Sequence, residues 1–191
     1  MADPPRAHLS FRSADELREW LAGNHETATE LWVRIFRKGT GHETVDWAGC
    51  VVEAIAHGWI DGVKMPLDDV SYLQRLTPRK PRSNWSSKNR DHAERLIAEG
   101  RMTAAGQRHV DAAKADGRWD SAYSGSAGLE IPQDFLDALD RDPAAKAFFA
   151  TLDRRNLYRI YYQLQTAKRP ETRARRLDRM VAQLSRGERF H

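Results

Sequence analysis

The chain has 191 residues, 40% hydrophobic and 30% charged, with 31 Lys and Arg against 27 Asp and Glu for a net charge of +4. That apolar share supports a packed core and excludes a disordered chain. No apolar run reaches the roughly 18–20 residues that cross a bilayer, which argues against membrane insertion. The single Cys50 leaves no disulfide framework, and the opening MADPPRAHLSFRSADEL lacks the apolar stretch of a secretory signal, so a cytoplasmic location is expected.

Ser13 to Glu16 has the form of a capping box, and Leu17, Trp20 and Leu21 put apolar groups on one face of a short helix. Leu31 to Lys38 is rich in β-branched and aromatic residues and reads as a strand, stopped by Gly39 and Gly41. Thr44 or Asp46 can cap a helix through Trp47, Val51, Ala54 and Ile55, with Gly58 just past its end. Trp59 to Lys64 and Ser71 to Thr77 read as two further strands. No long crossover separates them, so a small three-stranded antiparallel sheet is expected.

After Pro78 a Pro- and Arg-rich loop leads into a helix near Lys88 to Glu99, closed by Gly100, and Thr103 caps another that reaches about Asp116. Residues 117–130 are rich in Gly and Ser and suit a linker or lid. Beyond them the pattern is helical. Pro132 and Pro143 sit where first-turn prolines belong, Asp142 and Asp153 where caps belong, and Pro170 opens a last helix with the stripe Leu177, Met180, Val181, Leu184. The class is α+β: a core over residues 1–116, a loop over 117–130, and an all-helical part over 131–191 expected to pack on the core.

Charge is uneven along the chain. Residues 154–189 hold eleven Lys or Arg against Glu171, Asp178 and Glu188, a net of +8, so the first 153 residues sum to −4. Such a segment suits nucleic acid, a phosphorylated ligand, an acidic protein or anionic lipid. A solvated helix face paired with the acidic body carries the same letters. Within it, Tyr158, Tyr161 and Tyr162 alternate with Arg154, Arg155 and Arg159, a mixture that fits single-stranded nucleic acid or an amphipathic core helix.

The densest chemistry in the first part lies between Trp59 and Asn89. Asp61 stands beside Gly62 on a strand, Arg75 and Arg79 come at the end of the next, and Ser83, Trp85, Ser86 and Asn89 follow where a helix begins. Residues 75–95 carry seven basic groups against Asp91 and Glu94, a net of +5. Arginine forks and serine hydroxyls suit phosphate or carboxylate, and Trp85 suits a flat ring. The structural alternative pairs Asp61 with Arg75 or Arg79, makes Ser86 or Ser87 a cap, and puts Trp85 in the core.

The runs Glu30-Leu-Trp32 through Lys38-Gly39, His57-Gly58-Trp59-Ile60-Asp61-Gly62, Tyr72-Leu-Gln-Arg-Leu-Thr-Pro-Arg79, Ser83-Asn-Trp85-Ser86 and Ala98-Glu-Gly-Arg-Met102, with Ala167-Lys168-Arg-Pro-Glu-Thr-Arg173-Ala-Arg-Arg176, resemble the YdeI/OmpD-associated (OmdA) family. The resemblance runs from about residue 10 to 187. It implies a bacterial cytosolic protein with a bacteriocin-protection role, and it carries over no catalytic residue.

Glu53 and His57 share a helix face, but no third ligand stands at a metal-binding spacing, so neither metal nor cofactor is expected. The favoured reading is a binding protein whose pocket lies between the sheet edge, the 78–86 loop and the 168–176 corner, and takes an anionic or aromatic ligand. Arg75, Arg79, Ser83 and Ser86 hold the anion, Trp59 or Trp85 forms an apolar wall, and Asp61 fixes the arginines. Asn89, Lys168, Arg173 and Arg176 complete the set. The alternatives are a nucleic-acid-binding protein using residues 75–95 and 154–189, and an enzyme on a phosphorylated or acyl substrate with Asp61 as general base.

Overall fold

The computed structural model describes residues 7–124 and 129–190. The chain divides into two compact units, residues 1–83 with 89–120 and residues 84–88 with 121–191. Among the described residues, no helix is long and apolar enough to cross a membrane.

In the first unit the order is β1 (Leu9–Ser10), α1 (Ala14–Asn24), β2 (Leu31–Phe36), α2 (Trp47–Ala56), β3 (Trp59–Pro66) and β4 (Ser71–Pro78), followed by α3 (Ser87–Ala98) and α4 (Ala104–Ala115). The sheet order is β1-β2-β4-β3. Strand β4 runs antiparallel to β2 and β3, and β1 lies parallel to β2. The expected three antiparallel strands are present, but the sheet is four-stranded and mixed. Leu9 and Ser10, paired with Val33 and Arg34, are too few to display the alternation by which a strand is read.

Local chemistry sets the helix starts. Ser13 Oγ accepts from the Glu16 N–H, while Glu16 Oε2 accepts from the Arg12 N–H at 2.7 Å. Asp46 and Thr103 cap α2 and α4 in the same manner. Leu17 and Leu21 of α1 and Cys50 and Ala54 of α2 are buried in one cluster with Val33, Ile35, Trp59 and Leu76. Burial pushes the Cys50 thiol up to about 12, which makes it a packing group rather than a nucleophile.

The junction of α2 and α4 is tight. Gly58 turns the chain at φ +75°, and Thr103 donates its N–H and its hydroxyl to the Ala56 carbonyl at 3.1 and 2.7 Å. Helix α4 approaches the end of α2 through Gly106. A Cβ there would lie 2.5 Å from the Ala56 oxygen and 2.7 Å from that of Ile55.

In the second unit the described elements after Tyr123 are α5 (Gln133–Asp140), α6 (Pro143–Phe149), α7 (Arg154–Gln165) and α8 (Pro170–Ser185). Asp142 and Asp153 cap α6 and α7, and Pro143 and Pro170 occupy first turns. Pro132 differs: it is the residue before α5 rather than its first helical residue. Phe135, Leu139, Ala145, Ile160, Leu164, Met180 and Leu184 form the core, with Leu177 and Val181 packed against it. Of the 117–130 stretch read as a linker, Arg118 and Trp119 are buried and count with the first unit, while residues 125–128 lie outside the described residues.

Gly106→Ala is expected to destabilise the first unit by about 3 kcal/mol or more, because backbone carbonyls rather than a flexible side-chain end meet the new methyl. Denaturant unfolding followed by circular dichroism measures it, and an unchanged midpoint contradicts the close approach.

Candidate anion-binding site

Helices α7 and α8 each bury one stripe and present another. On α7, Ile160, Tyr161 and Leu164 turn inward, while Tyr158, Arg159, Tyr162, Gln163 and Thr166 are half-buried or exposed. On α8, Met180 and Leu184 are buried, and Thr172, Arg175, Arg176 and Arg179 recur on the other face at i, i+3, i+4 and i+7. The two outer faces, with Asn84, line a cleft of about 630 Å³. Four of its lining residues are arginines and none is a carboxylate.

Gln163 orders two of these arginines. Arg176 Nη1 donates to its backbone carbonyl at 2.7 Å, and Arg179 Nη2 donates to its side-chain oxygen at 3.1 Å. Arg159 and Arg175 are exposed. A second notch of about 440 Å³ adjoins, lined by Tyr123, Arg155, Tyr158, Arg159 and Tyr162. Tyr123 meets Tyr162 edge-on at 5.0 Å between centroids, and Tyr158 lies 6.1 Å from Tyr162. Burial and the neighbouring tyrosines raise the Tyr158 hydroxyl above its ordinary value, so it is a neutral donor at pH 7.

The residues singled out between Trp59 and Asn89 sit elsewhere. Trp59 is 1% exposed and donates its indole N–H to the His25 carbonyl at 3.1 Å. Among the described residues Asp61 has no arginine partner; its Oδ2 accepts from the Trp47 indole at 3.3 Å. The carboxylate partner of Arg75 is Glu30, at 2.7 Å. The register that sets Trp32 opposite Arg75 brings the residue before β2 to that side chain.

Arg79 is 3% exposed and donates to Ser83 Oγ at 3.0 Å, while buried Arg118 donates to the Ser83 carbonyl at 2.8 Å and to both Asp116 oxygens at 2.7 Å. Ser83 is thus joined to Arg79 within a loop tied to the protein itself. Trp85 is 1% exposed, Ser86 bridges to Tyr123, and Asn89 is half-buried in α3. The Ser87 hydroxyl donates to the Tyr123 carbonyl at 3.2 Å. Lys168 is exposed between α7 and α8. Arg173 makes a two-pronged ion pair with Asp134, which holds that carboxyl below its ordinary value. Arg176 alone of the expected set lines the cleft; Arg159 belongs to the Tyr and Arg mixture noted in the sequence, and Arg175 and Arg179 lie unnamed within the basic segment 154–189.

Residues 9–109, just over half of the chain, match the family model described as Domain of unknown function (DUF8412). The chain belongs to this family. Residues 128–187 match the model described as Bacteriocin-protection, YdeI or OmpD-Associated, so the chain carries an OmdA segment at its C-terminal end. No curated protein and no solved structure matches it. Of the runs that carry the likeness in sequence, Ala167 to Arg176 lies in the OmdA segment, and those between Glu30 and Met102 lie in the DUF8412 domain.

The arginines of the cleft therefore all fall within the OmdA segment. The DUF8412 domain has buried titratable groups of its own. Glu53 accepts from Arg101 Nη2 at 2.5 Å, and burial raises its carboxyl above the ordinary range. The His57 Nδ1–H donates to the Glu53 carbonyl, 2.9 Å away. His109 is held below its ordinary value by burial and then by Arg79, Arg108 and Arg118, and burial lowers His57 likewise. A depressed histidine contributes stability above the unfolded value of about 6.5 and loses it as pH falls through the folded one. Between pH 7 and pH 5 the two histidines are expected to withdraw stability from the DUF8412 domain, against the opposite contribution of the raised Glu53 carboxyl, and His109→Gln is expected to reduce that withdrawal. Urea unfolding at both pH values checks this, and parallel curves for the two proteins contradict it.

Proposed function

We propose that the chain is a binding protein for an anionic ligand, that the cleft between α7 and α8 is its seat, and that it acts in the cytoplasm. Capturing such a ligand, or shielding its target, would serve the bacteriocin-protection role that OmdA membership suggests. The observation that carries the reading is four guanidinium groups facing one cleft with no carboxylate among its lining residues. An anion relieves that concentration of like charge, and the forked donors of arginine match phosphate or carboxylate oxygens in pairs. The hydroxyls of Thr166 and Thr172 border the same space, and Thr166 donates to the Tyr162 carbonyl at 2.6 Å. The reading assigns no reaction.

Inorganic pyrophosphate, titrated calorimetrically at low salt, is the probe. Arg175→Ala and Arg179→Ala are each expected to weaken binding about tenfold, the value of one charged hydrogen bond of roughly 1.5 kcal/mol. Arg173→Ala is expected to leave it unchanged, because that guanidinium is engaged with Asp134. No binding, or binding indifferent to Arg175 and Arg179, overturns the reading.

A further inference from the structure

We infer that the ligand of this cleft is single-stranded nucleic acid, an inference that rests on reading the cleft as an anion site. The second notch supplies what an anion alone does not need. It shares Arg159 and Tyr162 with the arginine cleft, so rings and guanidinium groups form one continuous strip along α7. Tyr158 and Tyr162 are half-buried, leaving part of each ring open to solvent. Partly open rings beside a cationic groove are what an unpaired strand uses: phosphates lie against the charge and bases stack on the rings, whatever their sequence.

Length points the same way. From Arg155 to Thr166 the helix advances about 16 Å at 1.5 Å per residue. A stacked strand spaces its phosphates about 3.4 Å along its axis, so the strip spans several phosphates rather than one nucleotide. The charge of residues 154–189, a net of +8, suits a polyanion. A duplex keeps its base faces stacked and has no use for the tyrosines. An anionic membrane surface rewards apolar side chains that enter it, yet among the described residues the large exposed apolar ones, Leu9, Trp47, Val63, Val70 and Ile97, belong to the other unit.

The test measures the anisotropy of a labelled 12-mer of deoxythymidine against an abasic phosphodiester oligomer of equal length, with the full chain and over a salt series. The thymidine strand is expected to bind about tenfold tighter than the abasic one. Tyr158→Ala is expected to abolish that difference, and Tyr158→Phe to preserve it. Should the alanine variant unfold, Tyr158→Leu keeps apolar volume and removes the ring. The logarithm of affinity should fall against the logarithm of salt with a slope near −3 for four phosphate contacts, at about −0.7 each, and Arg175→Ala should reduce it by about one contact.

Equal binding of the two oligomers, or of a duplex and the single strand, overturns the inference while leaving the anion site standing if pyrophosphate still binds. Failure of pyrophosphate and both oligomers removes the site itself.

Discussion

The separation of α7 and α8 into an apolar and a basic face is the constraint on which the C-terminal unit depends. Burying Ile160, Leu164, Met180 and Leu184 with Phe135 and Leu139 fixes how both helices are rotated. At roughly 1.5–3 kcal/mol for each large side chain, that burial contributes on the order of 10 kcal/mol. Two guanidinium groups 4 Å apart in water repel by only about 1 kcal/mol. The core therefore decides the rotation, and the arginines converge because their positions in sequence leave them no other face. Like charge gathered this way is tolerated by a strong core, and a bound anion would discharge it.

Two arginines of the first unit are treated in the opposite way. Arg79 and Arg118 are buried and donate to Ser83, and Arg118 also holds Asp116. Buried charges persist only when paired and hydrogen-bonded, so each donor spent on Ser83 or Asp116 fixes the loop rather than awaiting a ligand. Asp61 and Arg75, matched to Trp47 and Glu30, add local geometry to the sheet. The same residue types thus serve architecture in one unit and an open cleft in the other, and the difference is burial.

Burial is also what separates the legible from the illegible in this sequence. Elements with strong local signals, such as the capped helices behind Ser13, Asp46, Thr103 and Asp153 and the β-branched strands, were readable because a few adjacent residues determine them. Strand β1 was not, since Leu9 and Ser10 depend on a partner more than twenty residues away. Between Trp59 and Asn89 the density of Arg, Ser and Trp marked a site, but density does not report exposure. Trp59, Arg79 and Trp85 are inside, and Arg75 is answered by Glu30, too distant in sequence to be matched by pattern. The Tyr and Arg letters of α7 allowed a core helix or a binding face, and one helix is both: Tyr161 is buried with its hydroxyl accepting from the Ser124 N–H at 2.8 Å, while Tyr158 and Tyr162 border the notch.

What makes the cleft more than a charged surface is the ordering that Gln163 imposes. An arginine side chain carries about 2 kcal/mol of rotamer entropy, and immobilising it on binding costs affinity. Arg176 and Arg179 are already held by the two oxygens of Gln163, so that cost is met in folding and not at the moment of contact. Each keeps further N–H groups to offer, because a guanidinium has five and these bonds use one apiece. Exposed Arg159 and Arg175 supply the adjustable half of the site. On the proposed reading, a cleft with two placed and two adaptable forks would recognise the spacing of anionic oxygens through the first pair and accommodate variation through the second. That division suits a repeating polyanion better than a single rigid ligand, which would gain from having all four fixed.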